Sequence, residues 1–122
     1  MTEHDEQVAL FRILALYEDK YPELRWIFAI PNGGHRHISV AKAMKAEGVK
    51  AGVWDIMCCV AVDDKCGMFI EMKYGKNTLT PKQIEFACNL GGAYEMQVCY
   101  SAIEACHAIG EYLGIDELME VE

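Results

Sequence analysis

The chain has 122 residues, of which 52% are hydrophobic and 25% are charged, and its formal net charge is −8. This length favours one domain around one core, because a second domain would be too small to bury enough apolar surface. The hydrophobic fraction excludes a disordered chain. No apolar run approaches the roughly 20 residues that span a bilayer, and the N-terminus is acidic where a secretory signal would be basic and then apolar. We therefore expect a cytosolic protein without a membrane partner.

The net charge limits how the protein can contact nucleic acid. A protein that grips long duplex DNA by its phosphates normally presents a basic face, whereas this chain is acidic overall. Contact with DNA must therefore come from a local cluster. Basic side chains are concentrated in the middle of the chain, at His35, Arg36, His37, Lys42, Lys45, Lys50, Lys73, Lys76 and Lys82.

The six cysteines contain no CxxC pair: Cys58 and Cys59 are adjacent, and the others are scattered singly. This spacing opposes a zinc-binding structural module. In a cytosolic chain, such residues are expected to be reduced and to pack as small buried hydrophobes.

Hydrophobic periodicity and turn residues predict the order of secondary structure. In chain order, the elements are a helix over 3–19, a strand over 25–30, a helix over 40–47, a strand over 53–62, a strand over 67–74, a helix over 81–90, a strand over 94–100 and a last helix. Helix starts are marked by the cap spacings Thr2–Asp5, Thr80–Gln83 and Ser101–Glu104, and by Ser39 before the second helix. The order predicts an α/β fold, with a mixed β-sheet flanked by helices.

Two charges stand inside the second strand of the predicted hairpin. Glu71 and Lys73 are two residues apart, so the strand period puts both side chains on one face. With a turn centred on Asp64, Asp55 pairs with Lys73 and Met57 pairs with Glu71. The two carboxylates then occupy diagonal positions on one face, roughly 7–8 Å apart at the backbone.

Two carboxylates on one face suit a hard divalent cation, because Mg²⁺ is commonly held by one or two carboxylates with phosphate and water. Phosphodiester hydrolysis fits this set, with Lys73 orienting water or stabilising the developing negative charge. The alternative interpretation of Asp55 and Lys73 is a cross-strand ion pair on a solvated face. Such a pair contributes little to the stability of the fold.

The stretches GVWD, IEMK and TPKQ resemble the restriction-endonuclease-like superfamily with its PD-(D/E)xK signature, and more closely the virus-type replication-repair nuclease (VRR-NUC) family. The resemblance extends from EHDEQVALFR through YPELRWIFAIPNGGHR, AKAMKAEGVKAGVWD and FIEMKYGKNTLTPKQ to GGAYEMQVCYSAIEA. It implies a restriction-endonuclease-like core and an endonuclease that depends on Mg²⁺ or Mn²⁺. It also implies a preference for branched or junction DNA, a role in DNA repair and a homodimer.

Carried onto this chain, the resemblance makes Asp55, Glu71 and the main-chain carbonyl of Met72 the metal ligands. Lys73 becomes the catalytic lysine. The chain departs from the usual GxPD segment at Trp54, where the family has proline. Trp54 either packs in the core or forms a platform for a DNA base.

Two further residues match family positions. Glu3 falls where the family has an acid that reaches the metal site, but it can equally be a first-turn acid favoured by the helix dipole, and Glu6 is a competitor for the role. Gln83 matches a glutamine that faces the active site. Gln83 is also part of the predicted capping box, and we expect that one side chain can hardly serve both purposes.

DNA-binding residues are expected on two loops. The loop at 32–36 resembles the NGG stretch of the family, and its glycines let backbone amides approach a phosphate; on composition alone it is only a turn. The expected DNA contacts are Asn32, Gly33, Gly34, His35, Arg36, Lys76 and Lys82. A competing hypothesis is a non-catalytic nucleic-acid-binding or assembly subunit that keeps the fold.

Overall fold

The computed structural model describes residues 1–31 and 37–122. Its helices are α1 (Glu3–Tyr17), α2 (Ile38–Ala46), α3 (Pro81–Leu90), α4 (Ala102–Leu113) and α5 (Asp116–Met119), with a 3-10 helix at Pro22–Trp26. Its strands are β1 (Ile27–Ala29), β2 (Ile56–Cys58), β3 (Gly67–Met72) and β4 (Tyr94–Cys99).

The four strands form one mixed sheet in the order β1-β2-β3-β4. The first three strands are antiparallel neighbours, and β4 lies parallel to β3. A parallel pair requires a crossover connection, and α3 provides it. This architecture confirms the predicted fold class, a mixed sheet flanked by helices.

The two faces of the sheet are covered differently. One face packs against α1 and α4, with Leu10, Met68, Met72 and Ile109 among the residues of its buried core. The other face is covered by α3, where the Phe86 ring packs edge-on against Phe69, with centroids 5.0 Å apart. Because side chains alternate along a strand, Glu71 and Lys73 share the face of Phe69. The two charges that interrupt the strand thus lie on the α3 side.

Several element boundaries differ from the predictions. The predicted strand over 53–62 is reduced to β2, and polar side chains contact the backbone beyond both of its ends. The Asp55 N–H donates to the Glu71 side chain, and the Val60 carbonyl accepts from the Tyr112 hydroxyl. The Asp55 N–H is thereby unavailable for strand pairing.

The first predicted strand and second predicted helix also begin elsewhere. Pro22 opens a 3-10 helix through Trp26, so β1 begins only at Ile27. Proline suits the first position of a helix because its missing N–H is not needed there. The N-cap of α2 is His37, whose ring nitrogen accepts from the Ser39 N–H, and Ser39 is therefore not the cap.

The predicted caps of the other helices are confirmed, and one helix was not predicted. The side chains of Thr2, Thr80 and Ser101 accept from the N–H groups three residues later. Gly114 has a φ of +73° at the end of α4, and α5 follows directly. Within the described ranges, no helix is long and apolar enough to cross a membrane.

Candidate active site

Asp55 and Glu71 are cross-strand neighbours at the end of the hairpin. In the observed register Met57 pairs with Phe69, so the same register extended by two residues sets Asp55 opposite Glu71. The predicted pairing of Met57 with Glu71 is therefore wrong by two residues. An even shift leaves every side chain on its own face, so the predicted convergence of the two carboxylates survives the error.

Reciprocal hydrogen bonds join the two carboxylates to the backbone. The Asp55 N–H donates to Glu71 Oε1 at 3.1 Å, and the Met72 N–H donates to Asp55 Oδ2 at 3.0 Å. Each acid therefore holds the main chain of the strand that carries the other. This arrangement fixes the orientation of both side chains.

Lys73 lies beside this pair and is buried with it. Its Nζ is 3.6 Å from Glu71 Oε2. Glu71 and Lys73 are 3% and 7% exposed, and in the described part of the chain they are the buried charged residues. Charged side chains are rarely buried unless they are paired. A solvated Asp55–Lys73 ion pair is therefore the wrong interpretation of these charges.

The charges of the cluster do not balance. Burial raises the pKa of the Glu71 carboxyl to about 8, and the negative charge of Asp55 adds to the shift. Burial likewise raises the pKa of Asp55, against the hydrogen bond from the Met72 N–H. A buried and a half-buried carboxylate beside one ammonium thus favour an additional positive charge, either a shared proton or a cation.

Gln83 connects the capping box of α3 to this cluster. Its Oε1 accepts from the Thr80 N–H at 3.0 Å, which completes the box, and its Nε2 donates to Glu71 Oε2 at 2.9 Å. The expectation that one side chain can hardly serve both purposes is wrong. A primary amide carries an acceptor and two donors at opposite sides of one group, so each end meets a different partner.

Trp54 is part of the packing behind the site. Its side chain is 2% exposed, and its Nε1 donates to the Gln83 carbonyl at 3.0 Å. An indole in this position cannot stack on a DNA base. Trp54 therefore ties the segment carrying Asp55, just before β2, to the first turn of α3.

The first turn of α1 contributes one acid near the pair. Glu3 lines a cleft together with Asp55, and its negative charge contributes to the raised pKa of Asp55. Its Oε1 accepts a long hydrogen bond of 3.4 Å from Asn77 Nδ2. Glu6, the competing candidate, instead accepts from the Ala102 N–H at 2.8 Å at the start of α4. The structure thus brings Glu3, and not Glu6, towards the carboxylate pair.

The cleft beside Asp55 has a volume of about 620 Å³. Apart from Asp55, it is lined by one face of α1, namely Glu3, His4, Gln7, Val8, Phe11, Arg12 and Ala15. His4, Gln7 and Arg12 were not predicted as site residues. Helical spacing places them on a common face, but only the packing of α1 on the sheet shows that this face meets Asp55.

Asn77 also lies beside the candidate site and was not predicted. It lies in the loop between β3 and α3, where its side chain donates to Glu3 and its carbonyl accepts from the Tyr100 hydroxyl at 2.9 Å. Attention to charged residues selected Lys76 and Lys82 from the same region. Both lysines are exposed, in this loop and in the first turn of α3 respectively. The expected DNA contacts Asn32, Gly33, Gly34, His35 and Arg36 lie outside the described residues.

The oxygen donors of the pair fit a hard divalent cation. Asp55 and Glu71 supply carboxylates from adjacent strands, and the Met72 main chain lies between Glu71 and Lys73. The Met72 side chain is buried in the core on the opposite face, which leaves only its main chain on the site side. Across the described residues, no cluster of three or more Asp, Glu, His or Cys side chains could hold a metal ion. A cation here would therefore depend on the two carboxylates, with water or phosphate completing the shell.

Comparison with known proteins supports the fold. No protein-family model matches the sequence, and no curated protein matches it. A solved structure described as a VRR_NUC domain protein superimposes with a TM-score of 0.75 and 24% sequence identity. The alignment covers 93% of this chain and 89% of that one. The chain therefore has the fold of that VRR_NUC domain protein.

Proposed function

We propose that this protein is a metal-dependent endonuclease that hydrolyses phosphodiester bonds of DNA, with a preference for branched or junction substrates. The observation that carries the proposal is the set of half-buried Asp55 with buried Glu71 and Lys73 beside a cleft, in which reciprocal backbone hydrogen bonds join the two acids and Lys73 pairs with Glu71. The likeness to a VRR_NUC domain protein supports the nuclease class. The preference for branched DNA and the role in repair come from the sequence resemblance.

Each residue of the set has a separate task in this proposal. Asp55 and Glu71 would hold Mg²⁺ or Mn²⁺, with the Met72 carbonyl as a further oxygen donor, and Glu3, at the cleft, would act on the ion through a bound water rather than as a direct ligand. When bound, such a cation supplies Lewis-acid activation of phosphate and water. Lys73 stabilises the negative charge that develops on the phosphate, because its ammonium is held within the buried cluster.

Gln83 acts through Glu71. Its Nε2 occupies one side of Glu71 Oε2 and so fixes the direction in which the remaining lone pairs of this carboxylate point. Orientation of a metal ligand by a second hydrogen bond commonly affects metal affinity or activity by about 10- to 100-fold. Gln83 is accordingly a positioning residue in this proposal.

A cleavage assay with Mg²⁺ or Mn²⁺ on labelled four-way junctions, splayed duplexes and linear duplexes tests the function. We expect wild-type cleavage to be abolished by EDTA and by Asp55→Asn, Glu71→Gln or Lys73→Ala. The matched control is Lys65→Ala, since Lys65 donates to the Gly91 carbonyl away from the site. Undiminished cleavage by all three site variants would refute the assignment, whereas binding without cleavage by the wild type would favour the non-catalytic subunit.

We also propose that the protein works as a homodimer. The monomer leaves large apolar side chains exposed, including Leu16, Trp26, Phe28 and Ile38, which are 81%, 61%, 43% and 71% exposed. Exposed apolar surface of this kind is common at interfaces between subunits. Sedimentation velocity at micromolar concentration should show a dimer, and a monomer throughout the accessible concentration range would refute this part of the proposal.

A further inference from the structure

We infer that the cleft between residues 50–53 and α3 binds an unpaired nucleotide of the DNA substrate, next to the catalytic set. The inference rests on the proposed function and adds a second subsite to it. The cleft has a volume of about 330 Å³, at the small end of the range for ligand-binding pockets. It is separate from the larger cleft that α1 forms with Asp55.

The charge of this cleft is opposite in sign to that of the whole chain. Lys50 and Lys82 both line it and are exposed, while Glu85 is the acid in its lining. Its charged side chains therefore sum to +1, against −8 for the full sequence. In an acidic protein, two lysines converging on one concave surface form a local site for a phosphate.

The floor of the cleft is apolar and partly aromatic. Val53, Phe86 and Leu90 line it together with the amide side chain of Asn89. The Phe86 ring is held at 86° to the ring of Phe69 on β3, so its orientation is fixed by packing. A phosphate alone would not use an apolar floor, whereas a nucleotide presents a base to such a surface and a phosphate to the lysines.

An unpaired nucleotide fits this cleft better than a paired one. Bases within a duplex are stacked on their neighbours, and only a base that has left the stack exposes its face to a side chain. A splayed or branched DNA supplies such nucleotides beside the point where two strands separate. The cleft would therefore favour branched over continuous duplex DNA.

Short contacts link the cleft rigidly to the catalytic set. Gly52 has a φ of +90°, and a Cβ at this position would lie 2.6 Å from the Lys82 carbonyl oxygen. The Trp54 side chain then bonds to the Gln83 carbonyl. Lys82 is adjacent to Gln83, and Trp54 is adjacent to Asp55. One residue on each segment, Gln83 or Trp54, therefore separates the cleft from the carboxylate pair. A strand could contact both without a change in the backbone.

Fluorescence anisotropy in EDTA tests the inference without cleavage. The probes are a labelled, fully paired duplex and a duplex of equal length with one splayed arm. We expect the wild type to bind the splayed DNA more tightly, and Lys50→Ala/Lys82→Ala to lose about tenfold in affinity for it, with a shallower salt dependence. The matched control is Lys20→Ala, which removes an exposed lysine paired with Glu117 on another part of the surface and should leave the affinity unchanged.

The aromatic floor is tested separately. Phe86→Leu should reduce the preference for splayed DNA while leaving the salt dependence as in the wild type, since it removes a ring and no charge. If this variant fails to fold, photocross-linking of the wild type to 5-iodouracil in the splayed arm replaces it, with cross-links expected on α3. Equal affinity of wild type and the double lysine variant for splayed DNA would overturn the inference, as would cross-links confined to residues outside this cleft.

The outcomes separate this inference from the proposed function. A wild type that binds splayed DNA through Lys50 and Lys82 but never cleaves it would refute the nuclease and leave the subsite. A wild type that cleaves, while the double variant binds as tightly as the wild type, would refute the subsite and leave the nuclease.

Discussion

Gln83 Nε2 donates a hydrogen bond of 2.9 Å to Glu71 Oε2, while the other end of the same amide accepts from the Thr80 N–H. The capping box of α3 and the carboxylate pair thus share one side chain. The stability of α3 and the geometry of the site are coupled through this group, and mutations can separate the two effects.

We predict different consequences for substitutions at the two ends of the capping box. Thr80→Ala removes only the cap acceptor and should lower the free energy of unfolding by about 1 kcal/mol, with cleavage retained. Gln83→Ala removes the other half of the capping box, the acceptor for the Thr80 N–H, together with the bond to Glu71, and it should also reduce the cleavage rate by about 10- to 100-fold. Urea unfolding and single-turnover cleavage measure the two effects.

The test is a comparison of the cleavage rates of the two variants. Because both weaken the same cap, a loss of cleavage that arose from helix fraying would appear in both. Equal cleavage rates for Thr80→Ala and Gln83→Ala would show that the hydrogen bond to Glu71 does not position the carboxylate.

We predict that the metal-free protein loses stability as the pH rises. Burial and the Asp55 charge raise the pKa of Glu71 from 4.5 to about 8 in the folded state, so the folded form binds this proton more tightly than the unfolded form. The contribution to stability is present below the unfolded value and is lost as the pH rises through about 8. Melting temperatures in EDTA between pH 5 and 9 should therefore fall more steeply for wild type than for Glu71→Gln.

The control for the pH dependence is Glu85→Gln, which removes an exposed glutamate from α3. Its melting temperature should follow the trend of the wild type. If wild type and Glu71→Gln gave parallel curves over this pH range, the raised pKa of Glu71 would not contribute to stability.

We predict that divalent cations stabilise the fold through the same two carboxylates. A ligand that binds only the folded state adds about 2.7 kcal/mol at a concentration one hundred times its Kd. Mn²⁺ should therefore raise the melting temperature of the wild type, and more so at pH 8 than at pH 6, because the carboxylates must lose their shared proton to bind it. Asp55→Asn and Glu71→Gln should show no increase, while Glu85→Gln should respond as wild type does.

We predict two classes of thiol. The exposed cysteines are Cys59, Cys66 and Cys88, and the buried ones are Cys58, Cys99 and Cys106. Burial raises the pKa of Cys99 to about 12 and that of Cys106 to about 11, which suppresses the reactive thiolate. Titration with a thiol-specific disulfide reagent at pH 8 should give three rapid reactions, with the remaining thiols reacting after denaturation. A fourth rapid thiol would contradict the packing of the core.

The sequence predicted which charged residues lie together better than it predicted their strand pairing. Glu71 and Lys73 stand out because charges inside an apolar strand are rare, and the strand period alone puts them on one face. The register depends on the turn, and the observed turn is centred on Asp63, one residue before the predicted centre at Asp64. The prediction that the two carboxylates share one face remains correct, because the predicted and observed partners of Met57 differ by two positions.

Other features depend on tertiary packing and could not be predicted. The dual role of Gln83 requires α3 to lie against the end of β3, and the choice of Glu3 over Glu6 requires α4 to lie against the first turn of α1. The burial of Trp54 likewise follows from its bond to a carbonyl of α3. Local patterns identify each of these residues but leave their partners open.

The hydrogen bond from the Ala102 N–H to Glu6 Oε1 connects the first turn of α1 with the start of α4. Glu3 lies three residues before Glu6 on the same helix and lines the larger cleft. The position of Glu3 in this cleft therefore depends on a part of the chain that is distant in sequence. A truncation that removed α4 would therefore release the first turn of α1 while leaving Glu3, Asp55 and Glu71 in the sequence. Any shortened version of the fold that is intended to keep the cleft must retain both helices.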